Sequence, residues 1–357
     1  MSKTAGIEFR HSERLLVVIP HPDDETLATG GLIQVALAAG LPLRVLVATD
    51  GDNNPWPQRW LEKRWRIGAA DQARWGARRR EEARLALSLL GVSDQAVRFL
   101  GWPDQRLTDM LLRDSSADET LAAEIRQFSP TILAMPSLSD RHPDHSALRV
   151  MLELALASTR PPKCRKLGYL VHGKRIDESG LSLQLDGAQQ RAKQRALLAH
   201  ATQLSLSRRR MRALCERVEQ FEAEWGEPEP VAEAGRMSWD MPWSREARWL
   251  RRHELLLVLG NSRRSARARL ALSQREGAMR TTIGIADGSP VEVEVMVRSD
   301  SLSVSLAFHE RLQFAYVKID RVGPRLVIYD SLGWNDACAY VRGGPEQSLQ
   351  TSTAAGR

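Results

Sequence analysis

Residues 15–31 read LLVVIPHPDDETLATGG. Residues 15–20 are a short, continuous apolar run rich in Leu, Val and Ile, the pattern of a parallel strand buried on both faces. His21, Asp23, Asp24 and Glu25 then crowd into five positions, directly after the run. Residues 26–39 read as a helix, opened by Thr26 and Leu27 and ended by Gly40. A buried strand that ends in charge and turns into a helix fits an open α/β sheet. Such sheets bind ligands beyond the carboxyl ends of their strands.

The same alternation continues. LPLRVLVATDGD (41–52) reads as a second strand ending in acids, and residues 57–90 as helical up to Gly91. AVRFLGWPD (96–104) is a third strand and turn, 117–128 a helix and PTILAMPSLSD (130–140) a fourth strand. Residues 144–157 are a helix, RKLGYLVHG (165–173) a fifth strand, and 187–225 a long helical stretch. Strand and helix in turn predict a doubly wound, mostly parallel α/β sheet with helices on both faces, Rossmann-like in layout. Its strand ends carry His21, Asp50, Asp52, Asp104 and Asp140. Residues 226–252 read as a linker and a Trp/Arg-rich helix, beginning in the Pro, Gly and acid-rich WGEPEPVAEAG. From 253 to 342 the texture is that of a smaller antiparallel β domain: VEVEVMVR (291–298) alternates strictly, among five further apolar runs and turn signals. Residues 343–357 read as a flexible tail. The expected division is therefore 1–225, 226–252, 253–342 and 343–357.

A second cluster answers the first. DRHPDHSAL (140–148) follows the fourth apolar strand and supplies Asp140, His142, Asp144 and His145. Either cluster alone reads equally well as a helix cap. Together, two His/Asp clusters at two strand ends point to one metal, because catalytic zinc takes about three His and carboxylate ligands and leaves a position for water. Histidine adds nothing to a cap that Ser or Asp would not.

HPDDE near the N-terminus and HPDH more than a hundred residues later resemble the PIG-L/LmbE family of zinc-dependent N-acetylglucosaminyl deacetylases. RREEARLALSLLGV (79–92), FLGWPDQRL (99–107) and KQRALLAHATQL (193–204) resemble its weaker helix and turn motifs, with Thr202 where Ser is usual. The resemblance covers roughly residues 11–225. It implies His21, Asp24 and His145 as metal ligands, Asp23 as general base and His142, protonated, as oxyanion stabiliser. It implies Arg79 and Asp52 as sugar contacts. Asp140, placed with them on the substrate side, would orient His142 or a ligand. Glu25 would support the loop. The implied cofactor is Zn2+, and Fe2+ accepts the same donors.

Composition bounds the partners. The chain has 357 residues and a net charge of +7, which favours an anionic partner or serves only solubility. Cys164, Cys215 and Cys338 form no CxxC pair, which fits a reducing cytoplasm. No signal peptide is read, and no stretch approaches the roughly 20 apolar residues of a membrane span. The arginine runs Arg78–Arg80 and Arg208–Arg210 come without a nucleic-acid motif, so nucleic acid is disfavoured. Trp56, Trp60, Trp65 and Trp75, and later Trp239, Trp243 and Trp249, lie among arginines. They suit core packing, glycan stacking or an anionic membrane surface. The expected protein is cytoplasmic, with room for peripheral contact at the inner membrane face. The expected reaction removes acetyl from an N-acetylated amino sugar, part of an anionic or lipid-linked glycoconjugate of the cell envelope. Two alternatives stand beside it: an amidase of other acylated amines such as thiol-sugar conjugates, and a non-catalytic glycan-binding protein. The sequence leaves the oligomeric state open.

Overall fold

The protein is seen in a computed structural model that describes residues 7–159, 164–173, 180–224, 235–244, 251–285, 288–309, 311–323, 329–330 and 333–338. It divides into two compact units. One takes residues 1–227 and 327–333, the other 228–326 and 334–357.

The first unit contains, in order, β1 (Leu15–Ile19), α1 (Asp24–Ala38), β2 (Leu43–Thr49), α2 (Pro55–Glu62), α3 (Ala69–Leu89) and β3 (Val97–Trp102). Then come α4 (Leu107–Arg113), α5 (Ser116–Phe128), β4 (Ile132–Pro136), α6 (Pro143–Thr159) and β5 (Arg165–Tyr169). β6 (Leu181–Gln184), α7 (Gly187–Ala199), α8 (Ala201–Leu214) and β7 (Val218–Glu224) complete it. The sheet runs β3-β2-β1-β4-β5-β7-β6. Its first five strands are parallel, and β7 and β6 join antiparallel. Leu15, Val17 and Ile19 enter a core with Leu32 and Ile33 of α1 and Leu197 of α7. Leu16 and Val18, equally buried, belong to the opposite face by the two-residue period of a strand.

This order places the site. The chain winds one way from β1 to β2 and β3, and the other way from β1's second neighbour, β4, to β5. The loops after β1 and β4 therefore part at the topological switch, where an open sheet leaves a crevice. They are the loops that carry residues 21–25 and 140–145.

Several local readings give way to the structure. α1 begins at Asp24, two residues before Thr26. The helical stretch 57–90 is two helices, broken after α2 where Lys63 turns left-handed at φ 52°. The stretch 187–225 is not one helix: it ends at α8, and residues 218–224 form β7. The helix α4 and the strand β6 were not anticipated from the sequence.

The second unit contains β8 (Gly235–Pro242), β9 (His253–Gly260), β10 (Ser265–Ala271), β11 (Gly277–Ile283) and β12 (Val291–Val297). β13 (Ser301–Phe308), β14 (Phe314–Arg321) and β15 (Asn335–Asp336) follow. They make two antiparallel sheets, β10-β9-β14-β15 and β11-β12-β13-β8. Residues 235–242, expected within the linker and helix, are a strand whose alternate residues Met237, Trp239 and Met241 are buried. Trp243 is buried too, as is Trp75 of the first unit. Trp249 and the tail 343–357 lie outside the described residues.

A buried ion pair anchors α1 to the antiparallel edge. Lys193 Nζ lies 2.6 Å from Glu219 Oε1, and Glu219 accepts from the backbone nitrogens of Gly31 (2.6 Å) and Leu32 (2.8 Å). Both side chains are buried. Removing one partner of such a pair strands a charge in the interior. Lys193→Met is expected to cost about 3–5 kcal/mol in urea unfolding, and Lys193→Met with Glu219→Gln distinctly less.

Candidate metal and catalytic site

The loop after β1 is held in a shape that separates its two aspartates. Asp23 caps α1 at φ 122°, a region a non-glycine residue occupies at a cost of about 1–3 kcal/mol. Glu25 offsets part of that cost: its Oε2 accepts the Asp23 amide at 2.9 Å. Its Oε1 meets His200 Nε2 at 2.7 Å and accepts the Thr26 hydroxyl at 2.9 Å. Asp24, the first residue of α1, faces two histidines. Its Oδ2 lies 3.3 Å from His21 Nδ1 and 3.2 Å from His145 Nε2.

Each histidine is gripped at its other nitrogen. His21 Nε2 lies 3.2 Å from Asp104 and 3.3 Å from Asp144. His145 Nδ1 lies 3.1 Å from Asp140 Oδ2. Asp140 is fully buried and also accepts from the amides of His142, Val171 and His172. Carboxylates that hold the far nitrogen fix the ring and leave the near nitrogen to bind a metal. His145 Nε2 is buried and, among the described residues, faces Asp24 Oδ2 at 3.2 Å without an aligned hydrogen bond. A buried imidazole nitrogen set against a carboxylate in this way suits a metal ligand.

Three sets of side chains bring ligand atoms within 4.8 Å of one another: His21, His142 and His145; Asp24, His145 and His172; His21, Asp104 and Asp144. His21 and Asp24 fall into different sets, each with His145, and Asp24 Oδ2 lies 3.3 Å from His21 Nδ1 and 3.2 Å from His145 Nε2. Their atoms meet at Asp24 Oδ2, with the far nitrogens already occupied. Two imidazoles and a carboxylate suit zinc or iron(II).

The electrostatics follow from buried acids. Burial alone would lower the pKa of His145, but Asp140 and Asp24 carry it up to about 10. Burial also opposes the His21 charge, and contacts to Asp104, Asp144 and Asp24 overcome it. Asp24 shows the mirror image: burial raises it, and His145 and His21 hold it well below the usual carboxylate range. Protons here occupy the role of a cation. Asp23 differs. Burial pushes it to about 7 even though Arg79 pulls it down, with Asp24 and Glu25 adding repulsion. His142 goes the other way, well below the usual imidazole value, through burial and the nearby His21, His145 and His172. This direction runs against the protonated His142 that the resemblance implies. Its Nδ1 accepts the Asp144 amide at 3.2 Å, which puts the ring proton on Nε2.

A cavity opens over these groups. His21, Asp23, Asp24, His142 and Arg79 line it, together with Asn54, Asp104, Gln105, His172, Gln203, Arg210 and Tyr329. Two residues expected on the substrate side are elsewhere. Asp140 lies beneath the site as the support of His145. Asp52 does not line the cavity: Gly76 of α3 packs against it, and Asn54 takes the place at the wall. Arg79 does line the cavity, but its guanidinium is tied to Gly51 O (2.8 Å), Pro22 O (2.5 Å) and Asp23 Oδ2 (3.4 Å). Gly51 makes that possible, since a Cβ there would lie 1.8 Å from Arg79 Nη1. Glu82, three residues on, accepts the Thr202 hydroxyl and amide, so threonine serves at this position.

Sequence reasoning missed four contributors. Asp104 was visible as a strand-end acid and Asp144 as the acid of HPDH, but neither had a partner until the fold paired them with His21. His172 follows β5, as His21 follows β1. Tyr329 had no local signal.

Comparison with known proteins supplies the kinship. The family model described as PIG-L, GlcNAc-PI de-N-acetylase, matches residues 16–156. A 1D-myo-inositol 2-acetamido-2-deoxy-alpha-D-glucopyranoside deacetylase of Mycolicibacterium vanbaalenii is 35% identical over 165 residues, 41% of this chain and 55% of that protein. The chain thus spans about half the length of that relative. The protein of the same name in Mycobacteroides abscessus is 30% identical over 239 residues, 55% of this chain and 83% of its own length. Among solved structures, N,N'-diacetylchitobiose deacetylase from Pyrococcus horikoshii superposes with a TM-score of 0.46 at 17% identity, over 59% of this chain and 84% of that one. The family model runs from the strand before His21 through the helix that carries His145, and a relative is matched over most of its length: the chain belongs to the PIG-L family.

Proposed function

We propose that the first unit is a metal-dependent hydrolase that removes acetyl from an N-acetylated amino sugar, with zinc as its metal. The observation that carries this reading is the approach of His21 and His145 to Asp24, beside Asp23, with His21, Asp23 and Asp24 lining one cavity. The names of the matched relatives support the substrate class. The alternative amidase would share this centre. A silent glycan-binding protein would have no use for a buried cluster of histidines and aspartates or for an Asp23 poised near neutrality.

In this reading His21, Asp24 and His145 hold the ion, which polarises the acetamide carbonyl and acidifies water when bound. Asp23 takes the proton of the attacking water, since a base with a pKa near the working pH transfers protons most effectively. Arg79 and Glu25 keep that carboxylate in place. His142 donates its Nε2 proton to the oxyanion of the tetrahedral intermediate, a contact worth about 3–4 kcal/mol per donor. Asp23 then returns the proton to the departing amine.

A second element concerns location. Trp56, Trp60 and Trp65, on and just after α2, are 63%, 66% and 81% exposed. Arg59 stacks on Trp56 and Trp65, with its carbon 5.1 and 5.8 Å from the ring centres. Asn54, immediately before α2, lines the cavity. Exposed tryptophan beside arginine favours an anionic membrane surface, with the cavity mouth close to it. No described helix is long and apolar enough to cross a membrane. The exposed tryptophans and Arg59 support peripheral contact, which we place at the inner face of the cell membrane, on the cytoplasmic side.

Acetate release from N-acetylglucosamine glycosides, with and without a chelator, tests the reaction. Asp23→Asn is expected to keep its metal by elemental analysis and lose turnover about 10²–10⁴-fold. His145→Ala is expected to lose the metal. Acetate release by neither native nor zinc-loaded protein would refute the reading. Because His145 is protonated at neutral pH without metal and must be neutral to bind it, loading the apoprotein near pH 7 is expected to release roughly one proton or more per ion, read with an indicator dye. For the membrane element, sedimentation with phosphatidylglycerol vesicles is expected to capture the protein, and Trp56→Ser with Trp60→Ser and Trp65→Ser to abolish capture. Absence of native binding at low salt would count against it.

A further inference from the structure

One charge on the cavity wall has no carboxylate counterpart among the described residues. Arg210 lies on α8 in the run Arg208–Arg210, beyond a kink at Ser207 where the backbone leaves helical geometry. Its Nη2 meets the Tyr329 hydroxyl at 2.5 Å and lies 3.4 Å from His172 Nδ1. Its guanidinium carbon is 5.1 Å from the Tyr329 ring centre. Among the described residues no carboxylate pairs with it. This contrasts with Arg79 on the same wall, which is spent on two carbonyls and Asp23.

Tyr329 is placed by its own backbone. The Asp330 amide donates to Arg141 O at 2.8 Å, and Arg141 Nε donates to Asp330 O at 3.0 Å. Gly333 sits so close to the loop after β4 that a Cβ would lie 2.2 Å from Leu138 O. The segment that presents the phenol is therefore clamped to the loop that leads through His142 into the helix of His145. From His142 the wall steps to His172 (5.6 Å between ring centres), then to Tyr329 (5.1 Å), then to Arg210. The arginine thus lies away from the reacting end, at a place for the part of a substrate beyond its acetamido group.

We propose that Arg210, oriented by Tyr329, is an anion subsite that receives a phosphate or carboxylate carried on the amino sugar. Arginine's planar fork suits both groups, and a charge-assisted bond is the strongest contact a half-open site provides. The inference rests on the deacetylase reading of this cavity and adds the substrate's charge to it.

Calorimetric titration of metal-loaded Asp23→Asn protein tests it, since that background holds ligand without turning it over. The probes are methyl N-acetylglucosaminide, N-acetylglucosamine 1-phosphate, an N-acetylglucosaminide with a carboxylate-bearing aglycone, and a short-chain phospholipid-linked N-acetylglucosamine. We expect an anionic probe to bind about tenfold or more tighter than the methyl glycoside, the scale of one charge-assisted hydrogen bond. Adding Arg210→Gln should reduce that preference to about threefold or less. Arg210→Lys should retain part of it, and Tyr329→Phe should weaken it. Which anionic probe gains most separates a free phosphate or carboxylate from a lipid headgroup. Equal binding of all four probes would overturn the inference, as would a preference that survives Arg210→Gln. Acetate release from the methyl glycoside by native protein is read separately. Release without anion preference defeats the subsite alone, and anion preference without release defeats the deacetylase reading alone.

Discussion

Asp24, Asp104, Asp140 and Asp144 are nearly or fully buried around His21 and His145. Unpaired carboxylates in an interior cost several kcal/mol each, so this cluster exists only because something positive sits among them. With no metal bound, the two histidines carry protons to meet that demand. The same acids also build the walls. Asp144 accepts the amides of Gln105 and Leu107, Asp104 that of Asn53, and Asp140 those of three residues. Loops from β2, β3, β4 and β5 are therefore tied to one patch of negative charge, and that patch aims the imidazoles.

Much of this was legible because it lies on period and position. LLVVI and TILAMP announce buried strands, and polar clusters directly after them mark the carboxyl edge of a sheet. HPDDE and HPDH carry the ligating atoms in contiguous stretches. What resisted reading has specific causes. In β7 the inward positions are Glu219 and Phe221, so a buried charge breaks the apolar alternation that would reveal a strand. In β8 the alternation of Met237, Trp239 and Met241 was present but hidden behind a Pro- and Gly-rich approach. The gap between α2 and α3 depends on a left-handed lysine, which sequence does not advertise. Asp52 looked like a site residue for being a strand-end acid, but the turn at Gly51 carries its side chain against α3.

Asp23 and Asp24 illustrate how neighbours come to differ. One peptide unit separates them. The positive φ at Asp23 throws its carboxylate toward Arg79 and the cavity, while Asp24, already helical, turns toward the histidines. The first is left with too little positive charge to ionise easily, the second with more than enough. Division of labour between the two acids thus comes from backbone torsion, not from side-chain type.

Tyr329 is encoded after most of the β-rich second unit, although it belongs to the first. A ribosome making this chain releases His21, Asp24 and His145 long before the tyrosine that closes their cavity wall. The first unit must wait for the second to emerge before its own pocket is finished. The two are consequently bound as a single inheritance: a gene truncated after residue 225 would keep the metal ligands and forfeit the wall that faces the substrate.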